Sequence, residues 1–347
     1  MKIDISGYDY KLDHERIALY PKSDRKSSRL FIVNRAKDKF EHKVFSDITN
    51  YLDKGDLLVL NNSKVFPARL HGHKKNSGGK VEVFLLKKLE DNKWEALVRP
   101  GKRIQPGSVV EFADKRITAS IGERTDVGGR VVDFQSNGDL MELIWRYGEI
   151  PLPPYIAREP EEKDKTTYQT VYAENVGAVA APTAGFHFTK ELLDELQEKG
   201  VDIAYITLHP GLGTFRPITV KDAAEHKMEE EYFSIPSETA NTVNDAKKQG
   251  RRIIAAGTTT VRALESSLDE NSGMVLATDG RYTDKFIYPP YEFKVIDCLL
   301  TNFHLPKSTL LLLVSALAGR DRVMSAYEEA VKMNYRFYSY GDAMLII

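Results

Sequence analysis

The sequence predicts an α/β fold class: a mixed α/β core domain with an inserted small all-β barrel domain. Beyond residue 175, strand-like and helix-like segments alternate, whereas residues 68–134 contain six short strand-like runs with almost no helical periodicity. The proline cluster at 151–154 follows the second region and is a rigid joint, because each proline ring fixes φ. The expected segments are core residues 1–66, barrel residues 67–150 and core residues 151–347, with the active site in the last.

The first segment contains three predicted strands and one short helix. The polar turn at 35–39 joins two strand-like runs, and Leu57-Leu58-Val59-Leu60 is a continuous apolar run typical of a strand buried on both faces. The predicted bounds are strands 29–34, 40–44 and 57–60 and a helix at 46–52. We assign these elements to the core, which makes the barrel an insertion.

The barrel prediction rests on the regular spacing of short runs between Gly, Asn and Asp residues. The six runs are 68–73, 81–86, 94–98, 109–112, 117–121 and 130–134. A helical segment at 140–147 follows them and leads into the proline joint.

The last segment shows helices with one apolar face between short apolar strands, which indicates at least partly parallel pairing. Gly200, Gly250 and Gly319 end helices, and Ser237 is a plausible N-cap. The predicted strands are 202–208, 253–256 and 295–300. The predicted helices are 190–199, 238–248, 259–268, 308–318 and 321–334.

Composition excludes several classes of protein. The chain has 347 residues, 42% of them apolar, and a formal charge of −1. Residues 1–150 hold 28 basic and 22 acidic residues, so the first part is biased towards a polyanionic partner. Cys298 is the single cysteine, and the most apolar stretch, 310–318, is shorter than the ~20 residues that a membrane span needs. We expect a cytoplasmic protein without a membrane role.

Three strand–loop–helix units carry polar or glycine-rich residues where the strand ends, which is where open α/β sheets bind ligands. Each loop alone is also consistent with an ordinary turn or helix cap. The glycine loop lacks the phosphate-binding lysine and the dinucleotide spacing, so ATP and NAD are poor candidates. We predict that the three loops converge on one cavity. The loops are 209–215 (HPGLGTF), 257–262 (GTTTVR) and 302–309 (NFHLPKST).

Metal binding is not predicted. His71 and His73 form an i, i+2 pair, and His226 and Glu229 an i, i+3 pair, but neither pair has a clear third ligand. Cys298 lies within an apolar strand and is interpreted as a core residue.

Seven long sequence blocks follow one another along the chain. They are IPLPPYI (150–156), YQTVYA (168–173), AAPTAGFHFT (180–189), LHPGLGTF (208–215), GTTTVRALE (257–265), TNFHLPKSTL (301–310) and YRFYSYGDAMLI (335–346). In this order they strongly resemble the S-adenosylmethionine:tRNA ribosyltransferase-isomerase family of queuosine biosynthesis. There are two departures from the family pattern, Pro210 where valine is usual and Glu229 where a histidine is usual, so His226 is only a weak site candidate.

The resemblance implies a reaction in which the ribosyl group of S-adenosylmethionine moves onto 7-aminomethyl-7-deazaguanine in the wobble position of tRNA. The implied products are epoxyqueuosine-tRNA, adenine and methionine. S-adenosylmethionine is then a co-substrate, and no metal is implied. We expect a monomer that binds S-adenosylmethionine and tRNA and does not associate with a membrane.

Such chemistry needs a base near the sulfonium, a proton donor for adenine and a dry pocket with aromatic faces. Arg262 is suited to the methionine carboxylate, and Phe186, Phe303 and Phe337 to stacking. The catalytic candidates are His187, His209, His304 and Glu265. The S-adenosylmethionine-binding candidates are Thr183, Gly185, Phe186, Gly211, Gly213, Thr214, Gly257, Thr258, Thr259, Arg262, Asn302, Phe303 and Phe337. The tRNA-binding candidates are Arg69, Lys74, Lys75, Lys80, Arg99, Lys102 and Arg103.

Two alternative functions are open at this point. An RNA methyltransferase would use the same donor but release S-adenosylhomocysteine, and it would normally show a glycine-rich loop after its first strand. A non-catalytic tRNA-binding protein would bind tRNA without consuming S-adenosylmethionine.

Overall fold

The structure is a computed structural model that describes residues 3–37, 39–125, 128–211, 213 and 217–347. The strands in this part of the chain are β1 (Arg29–Val33), β2 (Glu41–Val44), β3 (Leu57–Asn61), β4 (Ser63–Val65), β5 (Arg69–Lys74), β6 (Lys80–Lys88), β7 (Lys93–Arg99), β8 (Val109–Phe112), β9 (Ile117–Arg124), β10 (Arg130–Ser136), β11 (Asn175–Ala178), β12 (Asp202–Leu208), β13 (Glu231–Ile235), β14 (Ile253–Ala256), β15 (Thr278–Thr283), β16 (Cys298–Asn302) and β17 (Ala343–Ile346). The helices are α1 (Leu140–Tyr147), α2 (Asp164–Thr167), α3 (Lys190–Glu198), α4 (Ser237–Lys248), α5 (Thr258–Ser266), α6 (Thr309–Ala318) and α7 (Arg320–Lys332).

The core is a mixed sheet in the order β15-β13-β12-β3-β14-β16-β17-β1-β2. In the central part of the sheet, the pairs β12–β3, β3–β14 and β14–β16 are parallel. The pairs β13–β12, β15–β13, β17–β16 and β2–β1 are antiparallel. The pairing of β1 with β17 is parallel. The carboxyl ends of the four central parallel strands therefore lie at one edge of the sheet.

Both faces of the sheet are covered, because successive side chains of a strand point to opposite faces. Leu57 and Val59 of β3 belong to the apolar cluster that includes residues of α4, α5, α6 and α7. Leu58 and Leu60 belong to the opposite cluster, which includes α3 and the 3-10 helix Phe45–Asn50. This double burial explains why β3 is continuously apolar.

Six antiparallel strands form a closed barrel in the order β10-β7-β6-β5-β8-β9. Inward residues such as Val83, Ala96 and Val132 alternate with more exposed ones and fill the interior. The barrel lies in sequence between β3 and β12, which are neighbours in the core sheet, so it is an insertion. The predicted fold class, an α/β core with an inserted barrel, is thereby confirmed.

Several elements differ from the prediction. The third strand of the last segment is Cys298–Asn302 instead of 295–300, because the amides of Val295 and Ile296 bind the Glu265 carboxylate. Ser237 is the first helical residue and Pro236 occupies the N-cap position. Strands β13, β15 and β17 were not predicted. Within the described residues, no helix is long and apolar enough to cross a membrane.

Candidate active site

A cavity of about 620 Å³, open to solvent, lies at the carboxyl ends of the parallel strands β14 and β16. This is the position at which open α/β sheets bind ligands. Separate segments of the chain form its wall, so the cavity depends on the folded core. Its lining residues are Tyr155, Ala181, Pro182, Thr183, Ala184, Pro210, Gly257, Thr258, Thr259, Thr301, Asn302, Phe303, His304, Leu305, Ser308, Leu310, Tyr338 and Ser339.

All three predicted loops contribute to this cavity. The loop after β12 contributes Pro210, the loop after β14 contributes residues 257–259, and the loop after β16 contributes residues 302–305 and 308. Thr214, a predicted S-adenosylmethionine-binding residue, lies outside the described residues. The loops therefore meet as the sequence indicated, although the glycine loop is represented only by its first part.

Asn61, at the end of β3, connects these loops. Its side-chain amide donates hydrogen bonds to the Leu208 carbonyl at 2.9 Å and to the Thr259 hydroxyl at 3.1 Å. Its carbonyl oxygen accepts from the backbone amides of Leu208 and Ser63, each at 3.1 Å. Because Asn61 is buried, these bonds fix the end of β12 against the first turn of α5. This role of Asn61 was not predicted, although a polar residue at the end of an apolar strand is visible in the sequence.

His304 is the one predicted catalytic histidine that lines the cavity. Its Nε2 lies 2.7 Å from the Thr301 hydroxyl. The Tyr327 hydroxyl accepts a hydrogen bond from the His304 backbone amide at 3.0 Å, and the Tyr10 hydroxyl donates one to its carbonyl. Desolvation lowers the pKa of His304 to about 3, so the imidazole is neutral at physiological pH. The imidazole therefore presents its ring to the cavity in the neutral form, and burial makes it a weak base in the ligand-free protein.

His187 lies behind this wall. It is buried, and its Nε2 is 3.3 Å from the Asn302 side-chain nitrogen. Asn302 also accepts a hydrogen bond from the Thr183 hydroxyl at 3.1 Å and donates one to the Tyr338 carbonyl at 3.2 Å. Thr183, Asn302 and Tyr338 line the cavity, whereas His187 is not among its lining residues. The geometry indicates that His187 orients Asn302 instead of touching a ligand.

His209 faces a neighbouring cleft. Its ring stacks on Tyr232 with 5.3 Å between centroids, and Gly177 lies close to the same ring. A Cβ added at Gly177 would lie 2.5 Å from the His209 Nε2, so only glycine fits there. Burial lowers the pKa of His209 to about 4. The three histidines thus occupy three different environments.

Arg262 and Glu265 lie on the buried helix α5 and already have protein partners. Arg262 forms an ion pair with Glu231, which also accepts a hydrogen bond from the Gly211 amide at 2.8 Å. The Glu265 carboxylate accepts from the Val295 amide at 2.9 Å and from the Tyr291 hydroxyl at 3.0 Å. Neither residue is part of the cavity lining, and these contacts favour a structural role for both.

The predicted stacking residues are divided between the cavity and the core. Phe303 lines the cavity, and Phe337 packs behind it with 4.9 Å between ring centroids. Phe186 stacks on Tyr340 at 5.8 Å. Tyr155 and Tyr338, which the prediction omitted, are the other aromatic residues in the lining.

Two predicted glycines allow close packing near the site. A Cβ at Gly185 would lie 2.1 Å from the Tyr172 hydroxyl oxygen, and one at Gly213 would lie 2.9 Å from the Glu229 side chain. The remaining predicted residues Gly257, Thr258 and Thr259 form the N-terminal end of α5, where Gly257 has φ 96°. Free amides at such an end favour an anionic group.

The predicted tRNA-binding residues lie on strands β5, β6 and β7, in the turn between β5 and β6, and in the loop after β7. Arg69 pairs with Glu82 at 3.0 Å, whereas Lys75, Lys80, Arg99, Lys102 and Arg103 are exposed and Lys74 is half-buried. Lys87 and Lys88, at the other end of β6, line the cleft beside His209. The prediction missed this pair, although two consecutive lysines are visible in the sequence.

The buried histidines predict an acid-dependent loss of stability. The pKa of His187 is lowered to about 3, chiefly by burial, from an ordinary value near 6.5. Between pH 6.5 and 3 the unfolded chain binds this proton and the native chain does not, so stability falls as pH falls, by about 1 kcal/mol per pH unit. Urea unfolding at several pH values in this window should show a shallower slope for His187→Phe. Equal slopes in variant and wild type would contradict the assignment.

Comparison with known proteins identifies the family. The family model described as "Queuosine biosynthesis protein" matches residues 5–346. The chain belongs to the queuosine biosynthesis protein family. It is 50% identical over 345 residues to the S-adenosylmethionine:tRNA ribosyltransferase-isomerase of Desulforamulus reducens, covering 99% of this chain and 100% of that protein. The crystal structure of the S-adenosylmethionine tRNA ribosyltransferase of Thermotoga maritima matches with 38% identity and a TM-score of 0.54, covering 98% of this chain and 100% of that one. The family predicted from the sequence blocks is confirmed.

Among the described residues, no group of three His, Cys, Asp or Glu side chains is placed to hold a metal ion. His71 is hydrogen-bonded to Glu149 at 3.1 Å, and His226 packs edge-on against Phe286.

Proposed function

We propose that this member of the queuosine biosynthesis family transfers and isomerises the ribosyl group of S-adenosylmethionine onto 7-aminomethyl-7-deazaguanine at the wobble position of tRNA, releasing adenine and methionine. The observation that carries the proposal is that six of the seven sequence blocks, all except 168–173, contribute residues to the wall of one cavity. The 50% identity to a ribosyltransferase-isomerase over the whole chain supports the same activity.

S-adenosylmethionine occupies this cavity. His304 accepts the proton that leaves the carbon next to the sulfonium, since it is the predicted catalytic histidine that lies in the cavity wall. Asn302, with Thr183 bonded to it, supplies hydrogen bonds to the nucleoside. Arg262, the predicted partner of the methionine carboxylate, is already paired with Glu231. The N-terminal end of α5 holds that carboxylate instead. Phe303, with Phe337 packed behind it, provides an apolar face for the sulfonium.

The proposal extends to the organisation of the whole chain. Residues 1–66 and 151–347 form the catalytic core and residues 67–150 the barrel domain, which contacts tRNA. The protein acts as a cytoplasmic monomer, and its reaction needs no metal ion. Determination of the molecular mass in solution tests the monomeric state, and activity after treatment with a chelator tests the independence of a metal ion.

One assay tests the activity. The protein is incubated with S-adenosylmethionine and tRNA that carries 7-aminomethyl-7-deazaguanine, and the small products are separated by chromatography. Adenine and methionine in equal amounts support the proposal, whereas S-adenosylhomocysteine would identify a methyltransferase. Binding of tRNA without consumption of S-adenosylmethionine would identify a non-catalytic protein. The same tRNA with guanine at the wobble position is the control.

The barrel residues predict a salt effect on tRNA binding. Replacing exposed Lys102 and Arg103 with glutamine is expected to weaken binding and to reduce the slope of log K against log salt by about 2, since each phosphate contact contributes a little less than one. Binding of S-adenosylmethionine should not change. An unchanged salt slope would show that these residues do not contact phosphate.

A further inference from the structure

A second cavity, a cleft of about 1230 Å³, lies between the barrel and the core. On the barrel side its wall includes Lys87 and Lys88 at the end of β6 and Trp94 at the start of β7. On the core side it includes His209, Glu230 and Tyr282. The cleft therefore exists only because the inserted barrel stands beside the edge of the core sheet.

This cleft adjoins the S-adenosylmethionine cavity. Pro210 lines both cavities, and His209 precedes it on the cleft side. A molecule in the cleft can therefore meet a molecule in the cavity at the loop after β12. A transferase with two substrates needs such a junction, because the acceptor must reach the group that the donor supplies.

The lining of the cleft combines aromatic rings with charges of both signs. Tyr282 is exposed, and the Lys87 ammonium lies 4.0 Å from the centre of its ring, so barrel and core meet across the cleft. The exposed carboxylate of Glu230 lies on the core side. Lysines suit a phosphate and aromatic faces suit an unpaired base, whereas a carboxylate selects a cationic substituent.

Two buried polar atoms in the cleft wall have no hydrogen-bond partner among the described residues: the Trp94 indole nitrogen and His209 Nδ1. Trp94 is only 5% exposed. An unsatisfied buried polar group costs about 1–3 kcal/mol, so this wall carries polar groups that a purely apolar packing surface would not need.

We infer that this cleft binds the modified wobble nucleotide of the tRNA, with Glu230 recognising the cationic aminomethyl substituent of the base and Lys87 and Lys88 holding an adjacent phosphate. The inference rests on the proposed function for the identity of the base. Glu230 is thus a specificity-determining residue, which separates the modified base from guanine. Lys80 and Lys88 are about 26 Å apart along β6, so the lysines at the cleft are distinct from the basic residues predicted at its other end.

The test uses two stem–loop RNAs that differ only at the wobble position, one with 7-aminomethyl-7-deazaguanine and one with guanine. Binding is measured by fluorescence anisotropy, and adenine release is measured in parallel. Glu230→Gln is expected to raise the Kd for the modified RNA about 10- to 100-fold, which corresponds to the loss of one charge-assisted hydrogen bond, and to leave the Kd for the guanine RNA within twofold. Glu238→Gln, an exposed carboxylate on α4 outside the cleft lining, is the matched control and should bind both RNAs normally.

A double Lys87→Gln, Lys88→Gln variant should weaken both RNAs equally, since phosphate contacts carry no information about the base. Equal effects of Glu230→Gln on the two RNAs, or no effect on either, would overturn the inference. Failure of the proposed function can be distinguished from failure of this inference. If the proposed function is wrong, the wild-type protein releases no adenine, whereas the comparison of the two Kd values measures only recognition of the base. Unchanged S-adenosylmethionine affinity in Glu230→Gln would show that the donor cavity is intact.

Discussion

Replacing His304 with glutamine is expected to lower the rate of adenine release by about 10²- to 10⁴-fold, the usual contribution of one general base. Glutamine can still bond to the Thr301 hydroxyl, which lies 2.7 Å from the His304 Nε2, but it cannot accept a proton at neutral pH. S-adenosylmethionine should therefore still bind, as measured by calorimetry. Turnover is measured by chromatography of adenine under saturating substrate.

His14→Gln is the control, because His14 is exposed and is not among the residues that line the cavity. The low pKa of His304, about 3, also predicts that this group causes no loss of activity between pH 5 and 9. Near-native turnover of His304→Gln would show that another group takes the proton, and His209 in the neighbouring cleft would be the next candidate.

Replacing Arg262 with methionine is expected to destabilise the protein by about 3–5 kcal/mol. Arg262 and Glu231 are each 3% exposed, and removal of the guanidinium takes an ion-pair partner away from a buried carboxylate. Chemical denaturation measures the change in the free energy of unfolding. Because Glu231 also accepts from the Gly211 amide, the loop that lines both cavities should be loosened as well.

A double variant with Arg262→Met and Glu231→Gln is the control for this effect. It removes both charges, so it should recover part of the stability that the single variant loses. A loss below about 1 kcal/mol in Arg262→Met would show that solvent reaches the Glu231 carboxylate. If the double variant recovers stability but still shows low turnover, the ion pair contributes to activity as well as to stability.

The elements that could be predicted from the sequence are those with a strong local pattern. The strands of the barrel alternate with period two, and β3 is apolar from Leu57 to Leu60, so their assignment needed no knowledge of their neighbours. Strands β13 and β15 lie at one edge of the core sheet and contain Glu231, Tyr232 and Arg281 among few apolar residues. Their pairing depends on partners distant in the sequence, which no local pattern reveals.

The same distinction applies to the site. Residues at strand ends, such as Gly257 and Asn302, could be predicted because their position in the sheet follows from topology. Arg262 and Glu265 looked equally functional, but α5 is buried on every side from Thr258 to Glu265. Arg262 is paired with Glu231 of β13, and the Glu265 carboxylate accepts hydrogen bonds from backbone amides of the segment before β16. Both partners could be identified only from the three-dimensional structure.

The pairing of β1 with β17 affects how the protein is synthesised. The Arg29 amide donates to the Asp342 carboxylate, a contact between residues 313 positions apart. Tyr338 and Ser339 belong to the same late part of the chain and form part of the cavity wall. A ribosome adds about 5–20 residues per second, so many seconds separate β1 from its partner. During that interval β1 can pair with β2 but has its other edge open, and the wall of the cavity is incomplete.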